Sequence, residues 1–154
     1  MLNFQSLIIP FIKNFINILF FRKKYMIFKI SEIHSNSMEP NFHEGNYYIV
    51  KKNSDTKKIK RFDVLVYFCK IHNLNHIKRV IGLPNEKLLF KGKEFFIDNK
   101  FIKTFSISDS IRLEFEIDNN SLFLLSDNLS LFGKSCDSIK NGPIEKENII
   151  GFII

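Results

Sequence analysis

His76-Ile77-Lys78-Arg79-Val80-Ile81, closed by Gly82-Leu83-Pro84-Asn85, is the stretch on which the reading of this chain turns. Its β-branched residues and the Gly/Pro/Asn punctuation after it describe a strand. Side chains alternate along a strand, so His76, Lys78 and Val80 share one face and Ile77, Arg79 and Ile81 share the other. Two adjacent cations therefore point to opposite sides of an apolar strand. Either this is an edge strand with both charges in water, or one cation has a buried role or an acidic partner. Asp127 in Ser126-Asp127-Asn128, which follows the apolar run Leu122–Leu125, and Asp137 are the candidate partners.

Working outward, similar short runs recur at Tyr47–Val50, Val64–Phe68, Lys87–Phe90, Phe95–Ile97, Ile111–Ile117, Leu122–Leu125 and Ile149–Ile154. Glu44-Gly45-Asn46, Asp98-Asn99, Asp118-Asn119-Asn120 and Asn141-Gly142-Pro143 separate them as turn signals. No segment after Lys29 carries a helical stripe. The expected fold is mainly β and antiparallel, one domain over residues 28–154, behind a different kind of segment at residues 1–27.

That first segment is apolar from Phe4 to Phe21, interrupted by Pro10 and Lys13. Its length is near the minimum of ~17–25 residues that spans a bilayer, and a central lysine costs ~2.5–3.5 kcal/mol on insertion scales. Asn3, Ser6, Pro10, Lys13, Asn14 and Asn17 fall on one helical stripe, with Leu7, Ile8, Phe11, Phe15 and Ile18 opposite. This reads as a membrane anchor helix, spanning or lying in the interface, rather than a cleavable leader. The formal charge is +7, yet Lys13, Arg22, Lys23, Lys24 and Lys29 stand in the first thirty residues without an acid. Excess charge confined there points to anionic membrane lipids and away from nucleic acid. The 18 Phe with no Trp suggest genome composition more than function.

Ser35-Asn36-Ser37-Met38-Glu39-Pro40 supplies hydroxyls ahead of a turn, with Met38 free to lie on an apolar or membrane-facing surface. A serine needs a base, and a lysine serves only where desolvation lowers its pKa. Taken alone, the peptide is more simply a loop. Cys69 and Cys136 make no metal or redox spacing, and they form one disulfide or none. His34, His43, His72 and His76 show no metal spacing either, so no metal and no cofactor is expected. Lys60-Arg61 reads as solvated loop charge.

Taken together, the blocks resemble the type I signal peptidases, a Ser-Lys family that removes signal peptides. Ser35 to Pro40 resembles the nucleophile box, Gly45 to Lys51 the strand after it, and Arg61-Phe62-Asp63-Val64-Leu65-Val66 the next strand motif. His76 to Pro84 resembles the lysine box, and Ser126-Asp127-Asn128 with Ser135-Cys136-Asp137-Ser138 and Gly142-Pro143 the final box. The resemblance implies a barrel-like antiparallel domain with Ser37 as nucleophile and Lys78 as neutral general base. It also implies an oxyanion hole from the Ser37 N–H and the Ser35 hydroxyl. Ser135 would aim the Lys78 amine, Asp127 would pair with Arg79, and Asp137 would be a second structural acid.

Several positions depart from the family pattern. Asn46 follows Gly45 in place of aspartate, and Asn85-Glu86 replaces Gly-Asp. Ser126 stands for glycine and Leu129 for arginine, and Ile139 stands for the arginine that usually pairs with the aspartate. The expected function is a membrane-bound endopeptidase acting on preprotein signal peptides. The expected place is a bacterial cytoplasmic membrane with the domain on its outer side, or an organelle inner membrane. A dedicated processing peptidase of the same family and a non-catalytic peptide-binding β module are the alternatives. Arg22-Lys23-Lys24 after the apolar segment argues for the opposite orientation under the positive-inside rule.

Overall fold

The computed structural model describes Ile16 and residues 22–31, 36–52 and 59–154. The expected anchor helix therefore lies outside the described residues, apart from Ile16. No helix among the described residues is long and apolar enough to cross a membrane.

Eleven strands follow in chain order: β1 Tyr25–Lys29, β2 Tyr47–Lys52, β3 Val64–Cys69, β4 Leu74–Gly82, β5 Lys87–Lys91, β6 Glu94–Ile97, β7 Lys100–Thr104, β8 Arg112–Glu116, β9 Ser121–Leu125, β10 Ile144–Glu145 and β11 Ile149–Ile153. A one-turn helix, α1, spans Ser138–Asn141. The strands form a seven-stranded sheet in the order β1-β2-β11-β3-β4-β9-β10 and a four-stranded sheet in the order β7-β6-β5-β8. Every pairing is antiparallel. The class is mainly β as expected, arranged as two sheets, and no β1–β10 pairing closes the larger one among the described residues.

Three expectations shift. The boundary placed between residues 27 and 28 falls inside β1, where Tyr25, Met26 and Ile27 pair with Lys51, Val50 and Ile49. β7 was not anticipated, because all five of its residues are exposed and show no buried face to read. Arg61 is not a solvated charge, since its guanidinium forks onto the Glu86 carboxylate and donates to the Ile81 carbonyl at 2.5 Å. Glu86 also accepts from the Leu83 N–H at 2.7 Å. Asn85 sits at φ 66°, a left-handed conformation asparagine tolerates, which explains how it replaces a glycine at this turn.

β4 is an interior strand of the large sheet, between β3 and β9. Leu65 pairs with Lys78 and Val64 with Arg79 on one side, and Leu125 pairs with Arg79 on the other. It is not an edge strand, so the solvated-cation alternative fails on topology. Gly82 ends β4 where the backbones crowd: a Cβ there would run into Ile117 Cδ1 and lie 2.9 Å from both Leu88 Cδ1 and Phe123 Cβ. The phenylalanines have a structural use. Phe90, Phe95, Phe105 and Phe123 are buried together, joined by Phe115 and Phe132 at the margin of the same core. The Phe90–Phe95 and Phe115–Phe123 ring centroids are 4.7 Å apart, a distance at which such pairs add ~0.5–1.5 kcal/mol beyond burial.

Candidate active site

Ser37 lies in a single 3-10 turn, Asn36–Met38, between β1 and β2. Met38 is fully buried against Ile30 and Ile77, with Phe28, Phe42 and Tyr48 around it. This corrects the expectation of a surface-facing thioether. The methionine is the apolar plug that seats the turn, while Ser37 beside it stays half-buried. From the far side, the segment after β9 holds the turn. The Asn128 N–H donates to the Ser37 carbonyl at 3.0 Å, and Asn128 Nδ2 donates to the Asn36 carbonyl at 3.1 Å. Asn41 Nδ2 donates to Asp127 Oδ2 at 2.8 Å.

Lys78 on β4 is 1% exposed. Its Nζ donates to Ser37 Oγ at 2.7 Å and to the Ile77 carbonyl at 2.8 Å. Burial pushes its pKa down to about 8, against the opposing pull of Asp137, Cys136 and Asp127. A neutral amine is thus accessible near neutral pH, and only a neutral amine can accept a proton. His76, on the same face of β4, is pushed down to about 4 by burial and then by the Lys78 charge and His72.

Arg79, on the opposite face, forks onto Asp127: Nε to Oδ1 at 2.7 Å and Nη2 to Oδ2 at 2.6 Å. The bidentate geometry and a carboxylate only 8% exposed make this stronger than a surface pair. The two neighbouring cations are thereby accommodated separately, one desolvated and the other paired.

Asp137 is completely buried. Its Oδ2 accepts from Ser126 Oγ at 2.6 Å and from the Ser126 N–H at 3.2 Å, and its Oδ1 accepts from the Ile139 N–H at 3.2 Å. It caps the N-terminus of α1. Burial pushes its carboxyl above the ordinary range despite these donors. Ser138, equally buried, accepts the Leu124 N–H at 2.9 Å and ties α1 to β9. A cavity of about 900 Å³ opens beside Ser37 and Lys78, bounded by the end of β1 with Ile30 and Ser31 after it, and by Ser135.

The profile of the family described as "Signal peptidase, peptidase S26" matches residues 8–154. This chain belongs to that family. As a member of the signal peptidases it is a serine-type endopeptidase of signal-peptide processing. It is 30% identical over 148 residues to "Signal peptidase I V" of Bacillus subtilis (strain 168), covering 84% of this chain and 86% of that one. It is 32% identical over 78 residues to "Signal peptidase I" of Bacillus caldolyticus, covering 50% of this chain and 42% of that one. It is 30% identical over 118 residues to "Signal peptidase I" of Pseudomonas aeruginosa, covering 66% and 42%. A solved signal peptidase I from Enterococcus faecalis V583 superposes with a TM-score of 0.55 at 19% identity, over 65% of this chain and all of that one. That likeness concerns the fold alone.

Set against this signal peptidase's sequence, the geometry departs from expectation in two places, at Ser135 and at the cysteines and histidines. Ser135 is buried at the cavity wall, but among the described residues Lys78 Nζ is bonded to Ser37 and Ile77 rather than to the Ser135 hydroxyl. Ser35 lies outside the described residues, so its oxyanion role has no geometry here. The cysteines and histidines are not scattered. The Cys69 and Cys136 Sγ atoms are 3.1 Å apart as free thiols, with His72 Nδ1 within 3.4 Å of both. The overlooked signal was local, Cys69-x2-His72-x3-His76 across a tight hairpin, while the fourth member joins only through the fold.

Two of the departures from the expected pattern meet at Asp137. Ile139 replaces the arginine that would pair with Asp137, and Ser126 replaces a glycine. The Ser126 hydroxyl makes the shortest hydrogen bond to Asp137, at 2.6 Å, and the Ile139 N–H donates at 3.2 Å.

Proposed function

We propose that this signal peptidase cleaves preproteins with Ser37 as nucleophile and Lys78 as general base. The single observation carrying this reading is the 2.7 Å hydrogen bond from the buried Lys78 amine to Ser37 Oγ. Neutral Lys78 takes the Ser37 proton as Oγ attacks the scissile carbonyl carbon. The resulting ammonium then gives that proton to the departing amine, leaving an acyl-enzyme. Water, deprotonated by Lys78, hydrolyses the ester and frees Ser37. The Ser37 N–H and the Ser35 hydroxyl are the expected donors to the oxyanion.

β1 ends the large sheet among the described residues, and its edge beside the cavity suits an extended peptide added as a strand. Arg79–Asp127 and Asp137–Ser126 serve as supports, and Ser135 lines the same cavity as Lys78. The apolar segment Phe4–Phe21, ahead of β1, acts as the membrane anchor, with the β domain on the outer side. Protease added to intact, sealed membranes should digest the β domain; protection there places it inside.

Purified full chain carrying Ser37→Ala or Lys78→Met should lose preprotein cleavage by roughly a thousandfold or more while remaining folded. Cleavage by either variant at the wild-type rate removes the dyad. A non-catalytic peptide-binding module finds no support in a site where a serine and a desolvated lysine are hydrogen-bonded.

A further inference from the structure

We propose that Cys69, His72, His76 and Cys136 form a tetrahedral Cys2His2 site for a zinc-class divalent cation. One potential ligand atom from each residue lies within 4.8 Å of all the others. Three of them are closer still: Cys69 Sγ to Cys136 Sγ at 3.1 Å, Cys69 Sγ to His72 Nδ1 at 3.4 Å and His72 Nδ1 to Cys136 Sγ at 3.2 Å. Zinc bonds of ~2.3 Å to sulfur and ~2.0–2.1 Å to nitrogen place the corners of a tetrahedron ~3.3–3.8 Å apart. The two sulfur–nitrogen edges need to open by about 0.2–0.4 Å and the sulfur–sulfur edge by about 0.7 Å.

The independent observation concerns the fourth member. His76 Nε2 is the buried side-chain N or O atom among the described residues that has no hydrogen-bond partner. Buried polar atoms are ordinarily satisfied, and an orphan beside two thiols and a second imidazole points to a missing acceptor of its lone pair. A thiol and imidazole donor set selects zinc-class ions over magnesium or calcium.

Local sequence builds the site. Cys69 ends β3, Asn73 at φ 53° lets the chain reverse tightly, and β4 returns His76 alongside. Cys136 arrives from the segment between Phe132 and α1, where Asn141 Nδ2 donates to its Sγ at 3.2 Å. The Tyr67 hydroxyl donates to the Cys136 carbonyl at 2.9 Å. Such outer contacts orient ligands and are characteristic of built metal sites. On binding, each thiol releases its proton to solvent, and two thiolates balance the ion's charge. Four protein ligands leave no open position for water, so the ion is structural. It clamps the segment bearing Ser135 and Asp137 to the hairpin bearing Lys78, and its ligands are positioning residues. None of this rests on the Ser37–Lys78 reading.

The test uses tag-free full chain in detergent, reduced, stripped of metal and titrated with Co2+ and then Zn2+. One equivalent of Co2+ should give the intense visible bands of tetrahedral cobalt with thiolate charge transfer in the near ultraviolet, and Zn2+ should bleach them. His72→Gln, a change at an exposed turn, and Cys136→Ser should each weaken Zn2+ at least the ~10–100-fold that even outer partners cost. Melting temperature should rise with Zn2+ in the wild type and not in Cys136→Ser. Weak octahedral cobalt absorption, unchanged affinity in both variants, or thiols that form a disulfide and give no cobalt spectrum after its reduction would each overturn the proposal.

Discussion

Replacing Ser126 with alanine isolates the interaction on which the buried carboxylate depends. In Ser126→Ala the Asp137 carboxylate keeps two backbone donors at 3.2 Å and loses its shortest bond, the 2.6 Å one from the hydroxyl. A hydrogen bond to a charged group is worth ~1.5–3 kcal/mol net, and Asp137 is shielded from any water that could replace it. The expected loss is about 2 kcal/mol, or roughly 4–8 °C in melting temperature for a chain of this size. The effect also has a pH signature. Burial raises the Asp137 carboxyl above its unfolded value of 3.8, so the folded state holds its proton more tightly there and loses stability as pH rises through that interval. Removing the hydroxyl raises the folded value further. The gap between variant and wild type is therefore widest at neutral pH and narrows once Asp137 is protonated.

Urea unfolding of the full chain in detergent at pH 7 and pH 4 reads both the size and the trend. Ile139→Arg, which reinstates a cation near Asp137, should cost less in the Ser126→Ala background than alone, by a coupling of ~0.5–3 kcal/mol. A Ser126→Ala effect within ~0.5 kcal/mol at pH 7, the range of ordinary surface changes, would refute the reasoning. Strict additivity of the two substitutions would refute the compensation.

Two further outcomes follow from the site. In metal-stripped protein, the cleavage rate should climb as pH rises through about 8, the value to which burial lowers Lys78 among Asp137, Cys136, Asp127 and His76. A pH–rate profile whose acid limb lies near the ordinary lysine value of 10.5 would contradict it. Asp127→Ala leaves the half-buried Arg79 guanidinium without its carboxylate and frees Asn41, so a loss of about 3 kcal/mol is expected, at the lower end for a broken buried pair. Equilibrium unfolding measures that loss, and the kcat for a preprotein should fall as the turn carrying Ser37 loosens.

Strands with a buried face were legible because alternation and β-branched residues mark them, as in β3, β4 and β9. β7 carries no such contrast, and the paired residues of β1 follow directly on the basic cluster Arg22–Lys24. The Ser37, Lys78 and Arg79–Asp127 geometry was legible because each member sits in a short block of recognisable chemistry. The Asp137 environment was not. Ser126 and Ile139 look like two separate losses when read along the chain, and only the fold brings both onto Asp137. Met38 and the Cys–His cluster fail for the same reason, since burial and convergence are properties of the fold.

Residues 126–128 reach three parts of the site at once. Ser126 holds Asp137, Asp127 holds Arg79 next to Lys78, and Asn128 holds both ends of the Asn36–Ser37 peptide. The nucleophile and its base are thus located from one shared reference point, not through a chain of separate elements whose small errors accumulate. The exposed hairpins of the four-stranded sheet can accept length changes, whereas a single residue inserted between Leu125 and Leu129 would move the two reacting groups apart.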